Sequence, residues 1–258
     1  MSDVFPFQIA LPICKVKEKQ ENNYIPEGDI LGTCFSICKG ILITASHVID
    51  SIINCDGMVC MGDKVTKKWH ASPIIAIDQL DCDISIIKVE HKPLFYEMSV
   101  LNLLWSTTKL AIFNDITTIG YPHGSVTTKS GFDYLPRGIK GHIVSAPDKF
   151  QRIGTHENSF GVYELSFQVP AQLSGGPLIF QKESSTIVGL VIGNRSTKTL
   201  LFQNEEIIES ENKKVIVQQY DSMNLGIAVR QDTIFPLKSR ILGENIGDYL
   251  YKNGLVNQ

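Results

Sequence analysis

Ser174 stands in the run Gln172-Leu173-Ser174-Gly175-Gly176-Pro177, where two glycines let another backbone come close to the serine hydroxyl. A serine in that setting can act as a nucleophile if a base removes its proton, although an ordinary surface turn has the same composition. Two earlier segments supply the missing groups. Leu42-Ile43-Thr44-Ala45-Ser46-His47 is an apolar run ending in a histidine, and Asp81-Cys82-Asp83-Ile84-Ser85-Ile86-Ile87 is an acidic pair running into a second apolar stretch. Acyl transfer needs three such groups: a hydroxyl that attacks, an imidazole that takes the proton, and a buried carboxylate that fixes the imidazole tautomer. They occur here in the order histidine, aspartate, serine.

The elements that must position these groups read as strands. Strand-length apolar runs separated by turn residues recur at 40–46, 74–77, 83–89, 109–119, 141–146, 161–169, 177–180, 186–192, 214–219 and 225–229. The pattern predicts an all-β sandwich or barrel. Residues 231–251 differ, with Ile234, Leu237, Ile241, Leu242, Ile246, Tyr249 and Leu250 at roughly helical spacing, and one or two closing helices are expected there. The polar stretches 15–27 and 203–214 read as surface loops or hairpin tips. There is no internal repeat and no low-complexity segment.

Several short motifs, each weak alone, fall in one order along the chain. They are Gly32-Thr33-Cys34-Phe35, Thr44-Ala45-Ser46-His47, Asp83-Ile84-Ser85-Ile86, Gly120-Tyr121-Pro122, Gly141-His142-Ile143-Val144-Ser145-Ala146, Ser174-Gly175-Gly176-Pro177-Leu178, Gly189-Leu190-Val191-Ile192-Gly193 and Gly226-Ile227-Ala228-Val229. In this order the chain resembles trypsin-like, chymotrypsin-fold serine peptidases, and among them the bacterial HtrA/Deg-like protease domain. The resemblance spans residues 32–230.

That resemblance implies two packed six-stranded antiparallel β-barrels with a short C-terminal helix. Residues 1–108 would form the N-terminal barrel carrying the histidine and aspartate, 109–230 the barrel carrying the serine, and 231–258 a helical tail. It implies catalytic roles for His47, Asp83 and Ser174. Asp78 and Asp81 compete with Asp83, and the place directly before Ile84-Ser85-Ile86, where the family's acid sits, selects Asp83. The oxyanion hole would use the backbone N–H groups of Gln172 and Ser174. The family nearly always has glycine two residues before the serine, because the backbone there takes a conformation that other residues resist. Gln172 therefore leads to two expectations: a loop that substrate or a partner must turn, or a catalytically silent relative that binds peptides as a recognition module.

The implied specificity pocket is walled by Gln168 and Val169 on one side and by Asn194, Arg195 and Ser196 on the other. No acid lies at its base, so small or medium apolar side chains are expected, with Arg195 as a rival selector of acidic ones. Leu173 replaces the aspartate that trypsins use after zymogen cleavage, so control is expected from loop ordering, a partner or substrate unfolding. The tail after Arg230 is too short to hold the PDZ domain that HtrA proteins usually carry. Val4-Phe5-Pro6-Phe7 reads equally as a trimer contact or as packing over its own barrel.

Composition bounds the rest. With 258 residues, 43% hydrophobic and 20% charged, the chain can bury a sizeable core. A net charge of −3 and scattered basic residues argue against nucleic acid. No apolar run approaches membrane-spanning length. The N-terminus has an early acid and no basic or long apolar region, which predicts a cytoplasmic protein. Cys14, Cys34, Cys38, Cys55, Cys60 and Cys82 read as core packing ahead of disulfides or zinc, because no Cys-x-x-Cys pair is present. His70, His91, His123, His142 and His156 share no metal-ligand spacing, and His-Glu-x-x-His is absent. No metal and no cofactor is expected. The expected substrate is a polypeptide, and a peptidase at large in the cytosol implies a regulatory protein partner.

Overall fold

The β-branched and aromatic runs form strands that close into two rings. The computed structural model describes residues 9–20, 23–38, 40–53, 56–62, 69–90, 104–123, 125–128, 131–151, 159–181, 185–208 and 213–257. The Val4–Phe7 segment, Cys55, His91 and His156 lie outside them. The first ring contains β1 (Ala10–Gln20), β2 (Asn23–Cys38), β3 (Ile41–Ala45), β4 (Gly57–Gly62), β5 (Trp69–Leu80) and β6 (Ile84–Val89), paired in the closed order β1-β2-β3-β6-β5-β4. Helix α1 (Ser46–Asp50) follows β3 directly.

After β7 (Leu104–Ser106) the second ring begins with β8 (Asp115–Gly120), followed by the separate hairpin β9 (Ser125–Thr128) and β10 (Gly131–Tyr134). It continues with β11 (Arg137–Ser145), β12 (Val162–Leu165), β13 (Pro177–Gln181), β14 (Ser185–Ile208) and β15 (Lys213–Arg230). Its order is β13-β8-β11-β12-β15-β14, closed by the β13–β14 pairing. Both rings are six-stranded antiparallel barrels. Strand β7 takes up the edge of β14 in parallel at Thr186 and Ile187, just where the β15 pairing ends at Gly189.

Residues 231–257 run through α2 (Gln231–Ile234), the two-residue strands β16 (Lys238–Ser239) and β17 (Glu244–Asn245), helix α3 (Ile246–Lys252) and β18 (Val256–Asn257), which pairs with β7. The helical spacing of the tail thus becomes two short helices around a small hairpin. Its Ile234, Ile246 and Leu250 are fully buried in one cluster with Leu11, Phe35 and Ile43 of the first barrel and with Trp105. Burying each such side chain contributes about 1.5–3 kcal/mol relative to exposure. A second cluster, including Ile143, Tyr163, Leu165, Leu173 and Leu178, fills the second barrel.

The strand boundaries differ from the sequence expectation in several places, with β1, β2 and β4 falling outside the expected runs, and two of the differences have a plain cause. The run 109–119 enters a strand only at Asp115, because Asn114 folds back: its Oδ1 accepts from Ala111 N at 2.8 Å, and Phe113 has φ 69°. The runs 214–219 and 225–229 belong to one strand, since nothing between them breaks a ladder that runs without a gap from Lys213 to Arg230 on the β15 side. The stretches 15–27 and 203–214 lie in the β1–β2 and β14–β15 hairpins. Cys14, Cys34 and Cys60 are buried and unbridged.

Candidate active site

The meeting of His47 and Asp83 follows from strand register. β3 and β6 pair antiparallel with Ala45 opposite Ile84, so one step further along β3 is one step back along β6. The ladder accordingly continues with Ser46 N donating to Asp83 O at 2.9 Å. His47 then lies over the aspartate: its backbone N–H donates to Asp83 Oδ1 at 3.0 Å, and its Nδ1 lies 2.7 Å from Asp83 Oδ2. Asp83 is buried at 3% exposure, whereas the His47 side chain keeps 30%. A carboxylate so placed selects the tautomer with the proton on Nδ1 and leaves the Nε2 lone pair for a proton from elsewhere. Of the competing acids, Asp81 is exposed and Asp78 binds Ser239 and Arg240.

Ser174 comes from the turn between β12 and β13. Its carbonyl accepts from Thr33 N at 2.9 Å, which ties the second barrel's loop to β2 of the first. A Cβ on Gly32 would meet Val48 at 2.5 Å and Ser174 O at 3.1 Å, so the serine lies beside the helix that carries His47. Gly175 is obligatory: it has φ 87°, and a Cβ there would sit 1.9 Å from Thr33 O and 2.3 Å from Thr44 Oγ1. The Ser174 hydroxyl donates to Ile192 O at 3.4 Å. Among the described residues no hydrogen bond joins it to His47.

Gln172 takes the left-handed conformation that its residue type resists, with φ 67°. Bonds at both ends hold it there. Thr33 Oγ1 donates to Gln172 O at 2.8 Å, and His123 N donates to Gln172 Oε1 at 3.2 Å. The neighbouring amides of Leu173 and Gly175 donate to Pro170 O and Val191 O, whereas among the described residues those of Gln172 and Ser174 have no acceptor.

The residues expected to wall a specificity pocket divide. Asn194 clasps the Val169 backbone from both sides, accepting from Val169 N at 2.6 Å and donating to Val169 O at 2.7 Å. Arg195 Nη1 donates instead to Glu164 Oε1 at 2.9 Å. Gln168 and Ser196 are exposed. The clasp therefore links the two walls through Val169 and Asn194 and leaves the other three outside it.

Thr33 is the residue that sequence reasoning passed over. It is fully buried; its hydroxyl donates to Gln172 O and accepts from Tyr121 N at 3.2 Å, and its carbonyl accepts from Thr44 Oγ1 at 2.6 Å. Only its place beside Gly32 in the opening motif hinted at it.

No family model and no curated protein matches the sequence. Solved structures do. Rv3671c from M. tuberculosis H37Rv, as a serine-to-alanine mutant in its inactive form, superposes with a TM-score of 0.52 at 16% identity, over 98% of this chain and 90% of that one. The MamO protease domain from Magnetospirillum magneticum, in its apo form, gives 0.53 at 11% identity, over 91% and 97%. At these identities the likeness is one of fold: this chain has the two-barrel fold of a trypsin-like protease domain.

Proposed function

We propose that the protein is a serine endopeptidase that cleaves polypeptides through His47, Asp83 and Ser174 and an acyl-enzyme on Ser174. The observation that carries the reading is the two-point grip of Asp83 on His47, at 2.7 Å to Nδ1 and 3.0 Å to the backbone N–H. In the proposed reaction Ser174 Oγ attacks the scissile carbonyl carbon while its proton passes to His47 Nε2. The carbonyl π pair moves onto oxygen, and the oxyanion accepts from the Gln172 and Ser174 amides, each such donor being worth about a hundredfold in rate. Collapse breaks the C–N bond, and the proton on His47 leaves with the amine. Water then repeats the sequence against the acyl group, with no metal or cofactor required. Asp83 keeps the imidazolium oriented throughout.

At rest the Ser174 hydroxyl points to Ile192 O, so the reading includes a gate: rotation of Ser174 toward His47 when substrate or a regulatory protein partner engages the Gln172 loop. The same observation favours the second reading, a silent relative whose cleft binds peptide segments. The deciding experiment is fluorophosphonate labelling followed by intact-mass measurement of wild type, Ser174→Ala, His47→Ala and Gln172→Gly. Labelling of wild type, lost in the first two variants, supports the peptidase. Labelling that appears only in Gln172→Gly supports a gated hole, and no labelling in any of them leaves the binding module.

A further inference from the structure

Cys82 and Asp83 both lie in the left-handed region, with φ 63° and 60°. Two successive non-glycine residues in that region make a strained turn, and such a turn persists only where its surroundings hold it. On the β6 side the holders are the bonds to Ser46 and His47 described above. On the β5 side the holder is Asp78, paired in register with Ile86. Its carboxylate is 4% exposed and receives three donors from the C-terminal segment: Ser239 Oγ at 2.8 Å, Arg240 N at 2.6 Å and Arg240 Nε at 2.9 Å. Next to it, Gln79 Nε2 donates to Asp50 Oδ1 at 2.8 Å, tying the same strand to the helix that carries His47.

The segment does not need this latch to stay attached. Ile234, Ile246 and Leu250 are fully buried, and β18 is paired with β7. A buried charge is a poor source of net stability and is more readily explained where it fixes one geometry. The Arg240 side chain is 84% exposed, and the latch borders a groove that Leu80, Asp81, Leu237 and Lys238 also line, so it is within reach of solvent.

We propose that Ser239 and Arg240, by gripping Asp78, are positioning residues for the His47–Asp83 pair: the C-terminal segment holds the β5–β6 turn in the conformation that presents Asp83 to the imidazole. The inference rests on the peptidase reading for its consequence in rate, but its structural core can be measured without turnover. The test uses the full chain with Arg240→Ala, Arg240→Lys and Asp78→Asn. The readouts are the His47 Nδ1–H resonance and imidazole titration by NMR, the fluorophosphonate labelling rate and the thermal midpoint. Arg240→Ala is expected to stay cooperatively folded, to shift the imidazole titration and to label about tenfold more slowly, a loss of the size that slight misplacement of a catalytic group produces. Arg240→Lys should recover part of both. Unchanged His47 signals in Arg240→Ala overturn the proposal, even if the melting point falls. If Asp78→Asn does not fold, Arg240→Ala alone decides. If neither wild type nor Gln172→Gly is labelled, the peptidase reading fails, and the imidazole titration still decides the latch.

Discussion

Replacing Thr33 with valine tests whether the nucleophile loop is held by the first barrel. The change keeps shape and volume and removes one hydroxyl, which donates to Gln172 O at 2.8 Å and accepts from Tyr121 N at 3.2 Å. Tyr121 is fully buried, so leaving its N–H without an acceptor costs about 1–3 kcal/mol. The bond to Gln172 O contributes about 1 kcal/mol net. Gln172 at φ 67° stores about 1–2 kcal/mol of left-handed strain, so the bond and the strain it opposes are of similar size. Removing the bond should tip the loop out of the left-handed state, and a shift of about 1 kcal/mol is about a fivefold fall in the competent population. Fluorophosphonate labelling of Thr33→Val is therefore expected to be about fivefold slower, with global stability lower by about 2–4 kcal/mol. Thr33→Ser should label nearly as fast as wild type. Adding Gln172→Gly should restore most of the lost rate without restoring stability, because glycine takes φ 67° without strain. Thr33→Val that labels at the wild-type rate, or that gains nothing from Gln172→Gly, would refute the coupling.

Three other outcomes follow from the geometry. Gly175→Ala, which puts a Cβ 1.9 Å from Thr33 O at φ 87°, should cost on the order of 3 kcal/mol in urea denaturation and abolish labelling. Asn194→Ala removes both bonds to Val169 and leaves a buried N–H unpaired; it should raise KM toward peptides more than it lowers kcat, as steady-state kinetics would show. Burial pushes the Asp78 carboxyl up, but the bonds from Ser239 and Arg240 outweigh that and hold it below the usual range. A group depressed in the folded state contributes stability above its unfolded pKa of about 3.9 and loses it as pH falls through the folded value. Denaturation at pH 7 and pH 3 should therefore show a smaller acid loss in Asp78→Asn than in wild type, with Arg240, Lys238 and Asp81 the charged groups that border the same groove.

What the sequence revealed depended on whether the cause was local. Strand runs such as Ile84–Val89 were legible because four of the six residues are β-branched and all but Lys88 are buried. Asp83, by contrast, was singled out as the partner of His47 only by the resemblance, the register that brings the two together being a finding of the structure. Thr33 was not, because its role is to receive Tyr121 and to hold Gln172, which lies 139 residues away. The Asp78 latch was hidden for the same reason: its partners are 161 and 162 residues further along. Gln172 was legible only as an anomaly. Its residue type signalled strain, but the two bonds that oppose the strain come from β2 and from the loop after β8.

The site thus depends on docking between two independently closed sheets. His47 and Asp83 are brought together by ladder register within the first barrel, and the proposed Asp78 latch adds the C-terminal segment as a support, but neither takes a contact from the second barrel. Ser174 is fixed by Gly175 and Gly176 on its own β14, through Val191, and by Thr33 across the boundary. A change that loosens the barrels should therefore leave the histidine–aspartate pair intact and remove the serine from it. The Ser174 hydroxyl donates to Ile192 O rather than to His47, and in the proposed peptidase the rotation of that side chain, with the Thr33 contacts kept, is the step from a resting to a reactive arrangement. Control at this boundary needs no cleavage of the chain: any ligand that binds the two barrels more tightly when they are docked with Gln172 held at positive φ shifts the population by its own difference in affinity.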